Sequence, residues 1–324
     1  MDTAKTFKQK GEKVQRIPMN KKLKIGLIVS AVVIVLLASS MMFLIIPLIG
    51  KNAMLHPKHE AMFLYPHDFG MSYQNVTFDT VDQLTLRGWY IEPKNTSHPN
   101  ANITVVVLHG ASHSKAFMLD HYGTGLYNEG YRLLFFDSRN RGESPDTELG
   151  VTWGLDETKD IRAAVDYLKS KPEVNSSAIV LFAESQGSAT VMFYTAKYND
   201  VAAIIVDSIW AYGDQMIRRA YPERSGFPWI IFGQITIKLM ERHYGYSFAD
   251  ISPVTVAHNI SVPTYIIQGN DDLDFNPEDS TLIYSTLPAS LSKQLWRVDN
   301  RGHVEAYLEP DYFTRIAQFI SANL

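Results

Sequence analysis

From Ile25 to Gly50 the chain carries 26 consecutive residues without a charge, bracketed by Lys24 and Lys51 and dominated by Ile, Leu, Val, Ala and Met. A helix of that length reaches roughly 39 Å, enough to cross roughly 30 Å of bilayer hydrocarbon with some tilt even if Pro47 frays its end. A cleaved signal peptide is the competing reading, because Ala38-Ser39-Ser40 imitates a small-residue cleavage site. The apolar part of a signal peptide is usually about 7 to 15 residues long. Here the run continues for ten residues beyond Ser40, which favours a retained anchor. Eight Lys or Arg residues precede the span and few come closely after it. The excess of positive charge puts residues 1–24 in the cytoplasm as a basic tail and everything after Lys51 on the extracytoplasmic side of a single-pass membrane protein.

The chain beyond the span has to fold by itself, and 46% hydrophobic against 20% charged residues is enough to build a large core. The basic tail has a net charge of +6, which leaves −10 for the remainder of a chain whose total is −4. An acidic body of that size repels a phosphate backbone, so nucleic acid is not an expected partner. The chain has no cysteine. That composition excludes disulfides, thiolate metal sites and a cysteine nucleophile. Residues 51–74 show little periodicity and read as a juxtamembrane linker. Its His56, His59 and His67 lack the spacing and the carboxylate or thiolate partners of a metal site, so no metal and no other cofactor is expected. Five Asn-x-Ser/Thr sites, at Asn75, Asn95, Asn102, Asn175 and Asn259, carry no weight because the sequence does not say whether a glycosylating pathway handles it.

From Asn75 onward, short β-rich runs alternate with helical patterns. Residues 75–78 and 84–91 form an opening hairpin, and 103–108, 131–136, 178–182, 202–206 and 264–267 are near-continuous apolar runs. Such runs suit strands buried on both faces, as in a parallel sheet covered by helices. Helical patterns fall at 155–169, 187–198 and 311–322. The expected fold is therefore α/β, a doubly wound, mostly parallel sheet within residues 75–324. The alternation breaks between Ser208 and His258, a stretch holding Trp210, Tyr212, Tyr221, Phe227, Trp229, Phe232, Tyr244 and Tyr246, which reads as an inserted helical cap.

Directly after the 178–182 strand comes Ala183-Glu184-Ser185-Gln186-Gly187, and then a helix. Small residues around a serine at a strand-to-helix turn let the two elements pack closely and leave the hydroxyl exposed above the sheet. An ordinary loop with Ser185 as a helix cap is the alternative. His109-Gly110-Ala111 comes after the 103–108 strand, where a loop can supply half of an oxyanion hole, so the backbone N–H groups of Ala111 and Gln186 are the expected donors, and His109 is structural. A serine nucleophile needs a neutral imidazole and a carboxylate to orient it, in the chain order serine, acid, histidine for this kind of turn. Asp272, in the Gly269-Asn270-Asp271-Asp272-Leu273-Asp274 run, is the chosen acid, with Asp271 and Asp274 in reserve, and His303 after the 293–298 strand is the histidine.

Together, Leu84-Thr85-Leu86-Arg87-Gly88-Trp89-Tyr90, Leu108-His109-Gly110, the Asp137 to Ser144 loop, the Ser185 turn, Gly269 to Asp272 and Gly302-His303 resemble the α/β-hydrolase superfamily. The likeness is to its serine aminopeptidase and prolyl-oligopeptidase-related branch, in which membrane-anchored bacterial members have the same layout. Departures are Ala183, where the turn usually begins with Gly, and Asn276, where such proteins usually have Pro. The resemblance implies that Asp137 and Arg139 hold a loop bordering the site, and Gly142 is expected at positive φ. Arg218 and Arg219 suit a clamp for a substrate carboxylate, although a solvated helix face is the more ordinary role. The expected function is a membrane-anchored serine hydrolase that cleaves a small-molecule or peptide ester, thioester or amide through Ser185, His303 and Asp272. The alternative is a catalytically silent scaffold that binds a surface ligand.

Overall fold

The computed structural model describes residues 19–324, so most of the basic segment 1–24 lies outside the described residues. The chain divides into two units between Ile46 and Pro47. The first contains most of helix α1 (Lys21–Leu55), whose apolar side chains are largely exposed and whose best window has a mean hydropathy of 2.8, long and apolar enough to cross a membrane.

The second unit begins with the end of α1, which continues five residues past Gly50 because Met54 and Leu55 find a buried place in a core. Next come β1 (Tyr73–Asp79), β2 (Thr85–Ile91), β3 (Thr104–Leu108), α2 (Lys115–Met118), α3 (Thr124–Asn128), β4 (Arg132–Asp137) and α4 (Thr158–Lys169). The chain goes on through β5 (Ile179–Glu184), α5 (Gln186–Tyr198), β6 (Ala203–Asp207), α6 (Gly213–Ser225), α7 (Gln234–Tyr244) and α8 (Pro253–Val256). It closes with β7 (Thr264–Gly269), α9 (Glu278–Thr286), β8 (Lys293–Val298) and α10 (Tyr312–Asn323). The eight strands form one sheet in the order β1-β2-β4-β3-β5-β6-β7-β8. Only the β1–β2 and β2–β4 pairs are antiparallel.

The apolar runs become central strands because both faces of the sheet are covered. In β3, Val106 and Leu108 enter one core while Val105 and Val107 enter the other; in β5, Ile179, Leu181 and Ala183 oppose Val180 and Phe182 in the same way. The period of two sends alternate side chains to opposite faces, so every residue has to be apolar. Helices α4, α5 and α9 cover the first face, and α2, α3 and α10 the second. α4 starts at Thr158 rather than Leu155, because Glu157 turns its carboxylate back onto Thr152 and the N–H of Gly154, which has a φ of 112°.

Between β6 and β7 the chain inserts α6, a π-helical turn (Trp229–Gly233), α7 and α8. A third core joins this insertion to the body through Trp153, Phe193, Trp210, Met216, Ile217, Met240 and Phe275, and includes Met54 and Leu55. The carbonyl of Leu55 accepts the N–H of Val151 at 2.9 Å, and Gly50 lies against Tyr221 and Thr236. Parallel strands β3, β5, β6, β7 and β8 all end on the same edge, and the loops that leave that edge carry the chemistry.

Candidate active site

Ser185 joins β5 to α5 in a single residue, with φ 51° and ψ −120°. Non-glycine residues rarely take positive φ, and such strain persists only where the surroundings enforce it. Here they do: the N–H of Ser185 donates to the carbonyl of Asp207 at 2.8 Å, and Ser188 Oγ donates to both Ala183 O and Asp207 O. Gly187 is obligatory in the turn, since a Cβ there would stand 2.7 Å from His109 O and 2.9 Å from Leu108 O. Ala183 is a different case. Its methyl group is fully buried within the sheet's core and fills space there.

The structure brings Ser185, His303 and Asp272 together. His303 Nε2 lies 2.9 Å from Ser185 Oγ, and His303 Nδ1 lies 2.8 Å from Asp272 Oδ2. Asp272 is fixed through both oxygens: Oδ1 accepts the N–H groups of Asp274 and Phe275, and Oδ2 also accepts Gln268 Nε2. An acceptor-only carboxylate at Nδ1 places the ring proton there and leaves Nε2 free to accept from the serine hydroxyl. Burial by itself would lower the pKa of His303. The hydrogen bond and charge of Asp272, with the charges of Asp274 and Glu184, outweigh it and hold the pKa above the usual histidine value. Of the reserve acids, Asp274 approaches His303 Nε2, the nitrogen that faces Ser185, at 3.9 Å, and Asp271 is exposed and bonds, among the described residues, only through its backbone. Val304, a β-branched residue at φ 51°, is pinned by Ser208 Oγ, and Gly269 allows the 301–302 backbone to approach β7.

Among the described residues, neither Ala111 N–H nor Gln186 N–H has a hydrogen-bond partner, and both residues line the cavity at Ser185. His109 is buried and its pKa is lowered by that burial to about 4, so the ring is neutral. Its Nε2 accepts the N–H of Ser138, and its Nδ1 therefore donates to Gly110 O, which ties the β3 loop to the β4 loop. The 137–144 loop is braced as expected. Arg139 forks onto Asp82 and bonds Asp160, Asp137 takes the buried Lys115, and Gly142 has φ 48° with its Cα facing the Asp137 carboxylate.

Sequence reasoning missed Glu184. It is fully buried directly behind the nucleophile, where Oε1 accepts His113 Nδ1 at 2.7 Å and Gly110 N–H at 3.3 Å, and Oε2 accepts Tyr122 OH at 3.0 Å. Burial pushes its pKa up, but His113 and Tyr122 more than offset this and leave it lower than usual. A carboxylate in the turn thus clasps the loop that presents Ala111. The lining of the cavity above Ser185 includes Trp153, Trp210, Met216, Ala220, Phe275 and His303. Of the nine Phe, Trp and Tyr residues of the insertion only Trp210 reaches it. Tyr221, Trp229 and Phe232 pack within the insertion, while Tyr244 and Tyr246 donate to the carbonyls of Val151 and Thr152. Among the described residues no three His, Asp or Glu side chains gather as a metal site.

Residues 99–223, from just before β3 into α6, match the family model of the S33 serine aminopeptidases. The uncharacterized protein YfhR of Salmonella typhimurium is 26% identical over 280 residues, covering 81% of this chain and 84% of that protein. Protein bem46 of Schizosaccharomyces pombe is 22% identical over 259 residues, with 80% of each chain covered. Among solved structures, an esterase of Pyrococcus furiosus, Pf2001, superposes with a TM-score of 0.69 at 23% identity, covering 83% of this chain and 97% of its own. An acetyl xylan esterase from Paenibacillus sp. R4 superposes with a TM-score of 0.62 at 19% identity, covering 88% and 94%. These relatives align over most of the chain, and the solved structures superpose on the same mostly parallel sheet with its covering helices, so this protein has the α/β-hydrolase fold.

Proposed function

We propose that the protein is a membrane-anchored serine hydrolase that cleaves an ester, thioester or amide through an acyl-enzyme. The observation that carries this reading is the relay from Asp272 through His303 to Ser185, at 2.8 and 2.9 Å, with the serine raised on a strained turn. Ser185 Oγ attacks the substrate carbonyl while His303 Nε2 takes its proton, and Asp272 steadies the imidazolium that forms. The N–H groups of Ala111 and Gln186 receive the charge that develops on the carbonyl oxygen, a contribution of about 3 to 4 kcal/mol per donor in hydrolases of this type. His303 returns the proton to the leaving group. Water then repeats the sequence on the acyl-enzyme and frees Ser185.

The anchor reading is supported by α1, and the exposure of Ile230 (92%), with Ile231 and Ile235, on the inserted segment is consistent with a body that works near lipid. The chain contains no cysteine, so single cysteines introduced at Val81 and at Thr3 report sidedness by impermeant maleimide labelling of intact cells. Labelling at Val81 and not at Thr3 is expected; the reverse pattern rejects the orientation.

A fluorophosphonate probe tests the chemistry. Wild-type protein is expected to be labelled and Ser185→Ala is not, and p-nitrophenyl esters are expected to be hydrolysed only by the wild type. Absence of labelling in both returns the protein to the scaffold reading.

A further inference from the structure

Two arginines line the cavity above Ser185, Arg219, which is exposed at its rim, and Arg224, which is half-buried. Among the described residues neither has a hydrogen bond or a carboxylate within 4.0 Å. Arg224 lies with its guanidinium carbon 5.0 Å from the ring centre of Trp153, which is itself 2% exposed, so its charge rests on an apolar wall. The acidic residues of the same cavity, Glu223 and Asp274, offset its burial only through their field: both stand beyond ion-pair distance from the two arginines, and Asp274 also faces His303. Asp279, whose field reaches Arg219, has its carboxylate bonded to Ala211 N–H.

Behind Gln186 the imbalance continues. Arg141 is 4% exposed, one arm of its fork donates to Asn140 O, and Nη2 has no partner; the Oε1 of Gln186 is likewise buried without a partner. Glu157, the acid nearest in effect to Arg141, already accepts Thr152 N–H, Thr152 Oγ1 and Gly154 N–H. Burial lowers the pKa of Arg141 to about 10 and also that of Arg224, and the two charges repel each other. A charge withdrawn from water, as in buried Arg141 and half-buried Arg224, is costly until a counter-charge meets it, and a planar guanidinium fork matches a carboxylate or phosphate.

We propose that the substrate of this site carries an anionic group, a carboxylate or a phosphate, which docks on Arg224 and Arg219 while its acyl carbonyl lies at Ser185. This assignment rests on the hydrolase reading for the role of the bound group, and on the unpaired guanidiniums alone for its binding. Arg218, the neighbour on α6, takes no part because it stacks on Trp229 in a separate groove.

Two measurements on the full-length protein in detergent test the proposal. The first compares kcat/KM for mono-p-nitrophenyl succinate with that for its neutral isostere, p-nitrophenyl 4-methylpentanoate. Charge-assisted hydrogen bonds lead to an expected preference for the anionic ester of roughly 10-fold or more. The ratio should fall toward one in Arg224→Met and recover in part in Arg224→Lys. The second measures binding of succinate and of inorganic phosphate to Ser185→Ala by calorimetry, which needs no turnover and separates the carboxylate from the phosphate form. Binding that is lost on adding Arg224→Met supports the site even if no ester is cleaved, in which case the hydrolase reading fails by itself. Hydrolysis of the neutral ester at least as good as that of the anionic one, with no binding of either anion, overturns the proposal and leaves the hydrolase standing.

Discussion

Replacing Gly187 by alanine tests whether the turn at Ser185 is as tightly built as its geometry says. The added Cβ would lie 2.7 Å from His109 O and 2.9 Å from Leu108 O, both backbone atoms at the end of β3. No side-chain rotation can relieve either contact. To bring the closer one even to 3.0 Å, helix α5 and the end of β3 must part by a few tenths of an ångström, and overpacking of this sort costs about 1 to 3 kcal/mol. For a folded body of this size that corresponds to a Tm lower by roughly 2 to 10 °C. The displaced atoms also carry the catalytic geometry, because His109 leads directly into Gly110 and Ala111, and Gly187 comes directly after Gln186. One oxyanion donor is worth about 10² to 10³ in kcat when lost outright, so a partial displacement is expected to lower kcat by roughly 10- to 100-fold with a smaller change in KM. Hydrolysis of p-nitrophenyl acetate and a thermal unfolding scan measure both effects. Ala183→Gly, which removes a methyl group that meets no such obstacle, serves as the contrast and should keep the nucleophile in place. A Gly187→Ala protein with kcat and Tm unchanged would refute the reasoning, since it would mean that the turn and the β3 loop are not in the contact described.

Asp272→Asn removes the charge that orients His303 and is expected to lower kcat by about 10⁴ while leaving the fold intact, as checked by circular dichroism; a loss under about tenfold would remove Asp272 from the relay. The proposed mechanism needs neutral His303, whose pKa is held above the ordinary value, so activity should fall as pH drops through that raised pKa and be full on its alkaline side. Glu184 is one of the charges that raise it, so Glu184→Gln should move the acid limb of the kcat/KM profile to lower pH; a limb that moves upward contradicts the assignment. Arg139→Met strips the guanidinium from buried Asp160, leaving Asp82 with Lys159 and Thr80, and should destabilise the protein by about 3 to 5 kcal/mol in urea unfolding, whereas a loss under about 1 kcal/mol would show that the loop brace is idle.

The central strands were legible because their burial on two faces leaves a local trace. In β3, β5 and β6 nearly every side chain meets a helical layer, so the run is almost continuously apolar, and no tertiary knowledge is needed to see it. Ser185 and Asp272 were legible for a related reason, since they stand just beyond the buried strands β5 and β7, whereas His303 follows the partly exposed edge strand β8; parallel strands end on one edge of the sheet. What could not be read was whatever depends on the phase or partner of a single side chain. Nothing local marks Glu184, since a glutamate in a strand-to-helix turn is equally at home in solvent; its role comes from His113 and Gly110, more than seventy residues earlier in the chain. The two adjacent arginines of α6 differ in the same way. Arg219 faces the cavity and Arg218 stacks on Trp229, a choice set by how α6 packs on the body through Met216 and Ile217, and not by anything within the dipeptide. The end of α1 obeys the same logic, because Lys51 and Asn52 suggest an exit into solvent, whereas Met54 and Leu55 are captured by the core that also holds Trp153. Where the strands run is thus written in the neighbours along the chain, while the electrostatics of the site are set by neighbours in space. That division is why removing the charge behind the nucleophile is a sharper test of function here than any change within the apolar runs.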